Sequence, residues 1–344
     1  MASVFSAALR TLEARQQAAS DQSWQERFDA VEGGAPSAGA APPCCAPVPA
    51  PAPAAAAAPP LACCCGSAAD LDKSFVVDPT LSATNACGYA VFQGLPPPGE
   101  FWAAAVAARC SAVVVLGHDE RHVMGFFQND EQSSIHLPDG RKLRCVHHVS
   151  FPTEGLVVRQ LEVAGPSGAG ELWINFLHLA SWPDCGVPSS TLGMLRLCRE
   201  LESCRRPGAR IAVQCCCGTD AGLGACPAGA FIATDMLRQR LQALQLAPPS
   251  AAAPGAVAAA IDVPELVRSL RAQRAGLVET PRQYAFIHAA LADEVRDGLR
   301  VERRLLPRGF HARAAAATEG GGGGGAGAGA PAARAPAAAL AAAK

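Results

Sequence analysis

The chain has no excess charge of either sign: 29 Lys and Arg stand against 30 Asp and Glu over 344 residues, a net of −1. That balance excludes a global pull toward nucleic acid or an anionic membrane and leaves room only for a local basic pocket. Long hydrophobic runs are missing too. No window reaches the ~18 apolar residues of a membrane span, because the alanine runs are broken by proline and are only weakly hydrophobic. The opening MASVFSAALRTLEARQQAAS lacks the apolar core of a secretory signal and carries Glu13. It reads as an amphipathic helix with Phe5, Leu9 and Leu12 on one side, in preference to a mitochondrial presequence. The 15 cysteines lack the open, paired spacing of a secreted disulfide framework. Their clusters, Cys44-Cys45, Cys63–Cys65 and Cys215–Cys217, also lack the C-x2-C spacing that converges two thiolates on zinc. The expectation is a cytoplasmic protein with reduced thiols, no metal and no cofactor.

Two stretches have no patterned apolar face. Gly33–Asp70 is almost wholly Ala, Pro, Gly, Cys and Ser, and the tail from about Ala314 repeats that bias, so neither can assemble a core. The chain therefore divides into an N-terminal helical segment (1–32), a low-complexity linker (33–79), one folded domain (80–313) and a disordered tail (314–344).

Inside the domain, short apolar strands alternate with helical stretches, which indicates an α/β or α+β sheet domain. CSAVVVLGH (Cys110–His118) reads as a buried strand by its β-branched run, preceded by a helix that opens at PPPGEF. KLRCVHHVSF, LVVRQLEVAG and ELWINFLHLASW alternate as strands. SSTLGMLRLCRELESC (Ser189–Cys204) reads as a helix with serine caps. ARIAVQCCC returns to strand, GAFIATDMLRQRLQALQL is a helix, and APPSAAAPGAVAAA is a looser segment. Two helices close the domain, the first stopped at Gly276 and the second capped by Thr280 with Pro281 at its first position.

Three of these segments resemble the protein tyrosine phosphatase domain, in one consistent order. SWPDCGVPSS (Ser181–Ser190) is similar at every fixed letter to that family's acid loop, W-P-D-x-G-V-P. YAVFQGLPPPGEFWAAAVAARCSAVVVL resembles its Y-I-A-x-Q-G-P-L-P…F-W segment. LRAQRAGLVETPRQYAFIHAAL resembles its closing R-x-G-x-V-Q-T-x-x-Q-Y-x-F segment. The resemblance spans roughly Thr80 to Glu294 and implies a central twisted mixed sheet with helices on both sides. It also implies two-step covalent catalysis on phosphotyrosine: a cysteine attacks phosphorus, an aspartic acid protonates the leaving oxygen, and water releases the cysteinyl phosphate. The phosphate is cradled by C-x5-R, a turn of converging backbone N–H groups at a helix N-terminus, closed by a bidentate arginine.

By this resemblance Asp184 matches the general acid and Cys215 the nucleophile, with Gly218, Gly222, Gly224 and Gln283 as substrate-binding residues. The signature itself is broken. Gln214 stands where the family has histidine, and no arginine occurs between Arg210 and Arg238. The family places its last signature glycine eight positions after the cysteine, whereas Gly229 is fourteen after Cys215, an excess of six. Anchoring on AGLG (Ala221–Gly224) instead puts Ala225 at the arginine position. Cys204 and Arg210 have the right spacing but precede the strand, a chance match. Pro227 has no amide hydrogen to offer a phosphate. Glu279 replaces the glutamine of V-Q-T, and the family's tyrosine-bearing loop has no counterpart, since Tyr89 and Tyr284 both belong to other segments. His147, His148 and His178 read as packing or surface residues.

The expected function is a tyrosine-phosphatase-like binding or regulatory module with impaired catalysis, a monomer that takes a phosphotyrosine protein or peptide as partner. The alternative is an active phosphatase using Cys215 and Asp184, with Arg210 or Arg238 recruited from outside the signature. A third reading is a misread or misspliced segment inside the signature.

Overall fold

β3 (Cys110–Leu116) sets the architecture: its sequence is apolar almost throughout and every residue is buried, as befits a strand covered on both faces. The computed structural model describes residues 4–18, 23–32, 75–81, 88–93, 98–117, 134–165, 170–183, 186–206, 209–215, 227–248 and 253–305. The other strands are β1 (Phe75–Val76), β2 (Gly88–Gln93), β4 (Ser134–His136), β5 (Lys142–Phe151), β6 (Leu156–Ala164), β7 (Gly170–Leu179) and β8 (Arg210–Cys215). All eight form one sheet in the order β1-β2-β8-β3-β7-β6-β5-β4. The four strands β2, β8, β3 and β7 run parallel, and antiparallel partners flank them on both sides, giving the mixed sheet implied by the resemblance.

The helices are α1 (Val4–Ala18), α2 (Trp24–Glu32), α3 (Pro98–Ala107), α4 (Leu192–Glu202), α5 (Ala228–Leu246), α6 (Pro254–Ala260), α7 (Val263–Gln273) and α8 (Pro281–Leu305). Alternate side chains of each central strand serve opposite faces. Val113, Val115, Phe176 and Leu161 pack with Phe101, Trp102 and Ala105 of α3. Val114, Leu116, Leu177 and Val213 pack with α4 to α8, and Ala8, Phe28 and Val31 of the first two helices join that cluster. The chain divides into two compact units, Met1–Leu299 and Arg300–Lys344; of the second only residues 300–305 are described, as helix.

α5 is buried from Ala228 to Leu241, charged residues included. Each of those charges has a partner, as a buried ion must. Asp235 accepts from the Tyr89 hydroxyl at 2.5 Å and from Arg205, while Gln239 donates to the same hydroxyl at 2.8 Å. Arg240 grips both carboxylate oxygens of Asp78, at 2.6 and 3.0 Å. Burial opposes the Asp78 charge, but the Arg240 and Thr80 hydrogen bonds outweigh it and hold the carboxyl below its ordinary range.

Two local readings change. Phe75–Leu81 pack on the fold through β1, buried Val76 and Asp78, upstream of the expected boundary at 80. The Ala-rich segment read as loose contains α6, started by Pro254, with Val257 and Ala260 buried. α4 begins at Leu192, whose amide donates to the hydroxyl of Ser190 at 3.2 Å as a serine cap would, while the Thr191 hydroxyl bonds Asp293 of α8 at 2.7 Å.

Candidate active site

The parallel strands deliver their C-terminal ends to one edge of the sheet, the edge at which ligands bind in open α/β folds. Register aligns Gln93 of β2 with Cys215 of β8, Cys215 with Leu116 of β3, and Leu116 with Leu179 of β7. Cys215 thus ends a central strand two strand spacings, roughly 10 Å, from the start of the segment leading to Trp182. One row below, Gln214 is fully buried between Phe92 and Val115, and His178 is buried next in line with a ring nitrogen 3.0 Å from the Gly117 carbonyl oxygen.

The base of the W-P-D segment is tightly built. The Ala180 amide donates to the Gly155 carbonyl at 2.9 Å and the Ser181 hydroxyl to the Glu154 carbonyl at 3.1 Å. Gly155 has φ +66°, and a Cβ there would stand 2.7 Å from the Ser181 Cβ, so two constraints select glycine. Trp182 is 1% exposed and meets Phe286 of α8 edge to face at 5.6 Å. Asp184 and Cys185 lie outside the described residues, as do Gly218, Gly222, Gly224 and the rest of 216–226. The described part of Cys215 is its backbone, at the end of β8.

On the far side of that connection, α5 begins after Pro227, which is buried, helical in backbone, and offers no side-chain cap. Gly229 sits at a close backbone approach. A Cβ on it would lie 2.4 Å from the Val278 nitrogen and 3.0 Å from Leu277 backbone atoms, so the helix can approach Leu277–Val278 only with glycine there.

Neither substitute arginine is near. Arg210 starts β8, five residues and roughly 16 Å of strand from Cys215. Arg238 lies ten residues into α5, roughly 15 Å along its axis, and is paired with Glu202 at 2.7 Å and Glu294 at 3.0 Å. Cys204 is buried beyond the opposite end of β8, and burial pushes its thiol pKa up.

The closing segment turns its groups inward. Val278 has φ +60°, a conformation that a β-branched residue rarely adopts. Arg271 donates to the Val278 carbonyl at 2.6 Å and to that of Leu277 at 3.3 Å, contacts that the sequence reading missed because nothing local marks them. Gln283, assigned to substrate binding by resemblance, is fully buried, and its side-chain oxygen accepts the Glu279 amide at 2.9 Å while its own amide donates to the Thr280 hydroxyl at 3.1 Å. That arrangement is a helix cap. Glu279 itself is exposed. Both tyrosines are buried, Tyr89 in the Asp235 network and Tyr284 among Trp24, Phe28 and His288. His147 and His148 lie exposed on β5. Among the described residues no group of three or more His, Cys, Asp or Glu side chains could hold a metal ion, and no helix is long and apolar enough to cross a membrane.

Known proteins agree with this architecture. Human receptor-type tyrosine-protein phosphatase epsilon is 33% identical over 121 residues, covering 35% of this chain and 14% of that protein. Mouse receptor-type tyrosine-protein phosphatase alpha is 31% identical over 120 residues, 35% of this chain and 12% of that protein. Mouse receptor-type tyrosine-protein phosphatase N2 is 27% identical over a longer 216 residues, 60% of this chain and 19% of that protein. The chain spans less than a fifth of each relative's length. A protein-tyrosine phosphatase family model matches residues 97–293, more than half of the chain. With the parallel core, the W-P-D exit from β7 and the cysteine exit from β8 all in the family's order, the chain belongs to the protein-tyrosine phosphatase family.

Proposed function

We propose that this chain is a phosphatase-like module with impaired turnover, which binds or regulates where its relatives hydrolyse. The observation that supports the reading is the close approach of Gly229 to Leu277–Val278: taken as the last signature glycine, Gly229 leaves the connection from Cys215 six residues too long and puts Pro227, two positions earlier, where the family has arginine. A bidentate guanidinium on a phosphate dianion contributes several kcal/mol, and each ~1.4 kcal/mol is tenfold in rate. With a closed N–H nest also lost in the longer connection, the deficit is at least about a thousandfold. The ligand class is a phosphotyrosine protein or peptide, approached by a single chain in a reducing, cytoplasmic setting. Cys110, Cys145, Cys198 and Cys204, all buried thiols outside any disulfide, fit such a setting.

The second reading, a working phosphatase with Cys215 as nucleophile and Asp184 as acid, is favoured by one feature: Trp182 and Cys215 leave neighbouring parts of the same sheet edge. Hydrolysis of an aryl phosphate by the full chain separates the two. Impaired turnover predicts a rate unchanged by Cys215→Ser, with vanadate or phosphotyrosine peptide still bound. A rate abolished by that substitution and within tenfold of an active relative would overturn the proposal. Resequencing the transcript across Cys215–Gly229 tests the third reading, and an arginine restored there would reverse the conclusion.

A further inference from the structure

Helix α2 does more than cover the core. Its Phe28 is buried, with the Arg271 guanidinium stacked over its ring at 4.7 Å and the Tyr284 ring edge-on at 6.0 Å. Trp24, one turn earlier on α2, meets Tyr284 at 6.2 Å and His288 at 5.3 Å. Arg271 is the residue whose guanidinium holds the Leu277 and Val278 carbonyls. Those two residues carry the left-handed Val278 and form the backbone wall against which Gly229 brings the head of α5. A chain of direct contacts therefore runs from α2 through Phe28 and Arg271 to the turn that faces the start of α5.

We propose that α2 is an intramolecular strap for that turn: with Phe28 seated under Arg271 the guanidinium is aimed at the two carbonyls, and Val278 is kept in its otherwise unfavourable conformation. Two features support a strap over ordinary packing. A guanidinium on an aromatic face is oriented by the ring, so its remaining N–H groups point in fixed directions. A β-branched residue at positive φ persists only where its surroundings over-determine it. The strap is also remote in sequence: 42 residues, 33–74, separate α2 from β1, so α2 can leave without breaking the sheet's continuity. With α2 undocked, Arg271 loses its platform, Val278 relaxes toward negative φ, and Glu279 and the Thr280–Gln283 cap shift relative to α5.

Hydrogen exchange on the full chain tests this without reference to turnover, so its failure and the failure of the impaired-phosphatase reading are distinguishable. Phe28→Leu keeps apolar bulk and removes the aromatic face. It is expected to speed exchange of the Glu279 and Gln283 amides at least tenfold while β3 and β8 keep wild-type rates. Arg271→Lys should give the same local pattern, and the double variant should add nothing further. Unchanged exchange at Glu279 and Gln283, acceleration spread evenly through β3 and β8, or a double-variant effect equal to the product of the singles would each overturn the proposal. If F28L does not fold, Trp24→Ala, which loosens α2 without touching Arg271, decides the matter: local acceleration at the same amides supports the strap, and none overturns it.

Discussion

The exits from β7 and β8 lie at the same sheet edge, two strands apart, and have fared differently. At the β7 exit the W-P-D letters are intact, and the packing beneath them is intact as well: Gly155 admits Ser181, and Trp182 is sealed against Phe286. At the β8 exit the strand before and the helix after are both kept, Gly229 contact included, while the connection between them has changed in length and composition. Trp182, Gly229 and the strand residues are held by the core, so they persist whether or not a reaction is catalysed.

The comparison can be broken most forcefully by repairing the β8 exit. Deleting six residues between Cys217 and Pro227 together with Pro227→Arg should raise kcat/KM on an aryl phosphate about a thousandfold over the parent, ~4 kcal/mol in barrier. Pro227→Arg alone should leave it nearly unchanged, because the turn is still too long. A repaired chain as slow as the parent would show that the β7 exit is also defective. Next in size, Trp182→Ala should lower unfolding free energy by about 3 to 5 kcal/mol in urea titration, since a fully buried tryptophan leaves a cavity. An effect below about 1 kcal/mol would mean that the W-P-D base is a surface feature.

Gly229→Ala sharpens the same contrast from the helix side. Its Cβ would press on backbone atoms, which cannot rotate away, so a loss of about 1 to 3 kcal/mol and a lower Tm are expected. A separate effect is pH dependence away from the site. Burial, with the nearby Arg27 and Arg15 charges, lowers the His288 pKa to about 3 from its ordinary 6.5. Between those values the unfolded chain binds a proton that the folded chain refuses, so stability falls as pH drops from about 6.5 toward 3. His288→Gln should flatten that part of a Tm-against-pH curve, and an unaltered slope would refute the assignment.

Much of the fold is legible in the sequence because it is written in local pattern. β3, β5, β6 and β7 follow from apolar runs and alternation within three residues of their observed ends. Thr280 and Pro281 mark the start of α8. Long-range pairing is not legible: nothing around Arg240 or Asp78 announces that 162 positions apart they form one buried ion pair. The α6 helix hides in alanine and proline, where weak amphipathicity resembles a linker until Val257 and Ile261 find the core. At the candidate site, the acid-loop motif and the strand ending in Cys215 stand out from sequence alone. The close approach of Leu277–Val278 to Gly229 does not, because nothing local in the sequence marks it.

The bidentate grip of Arg240 on Asp78 has a practical corollary for anyone who trims this protein. A fragment cut to begin at Thr80 would leave a guanidinium 4% exposed on α5 with the partly exposed Glu265 as its remaining carboxylate, a penalty on the order of 3 kcal/mol. The same cut removes Val77, whose amide and carbonyl are both clasped by Gln273. A fragment that starts ahead of Phe75 keeps this seam closed, so the natural place to sever the chain is several residues upstream of where its composition changes.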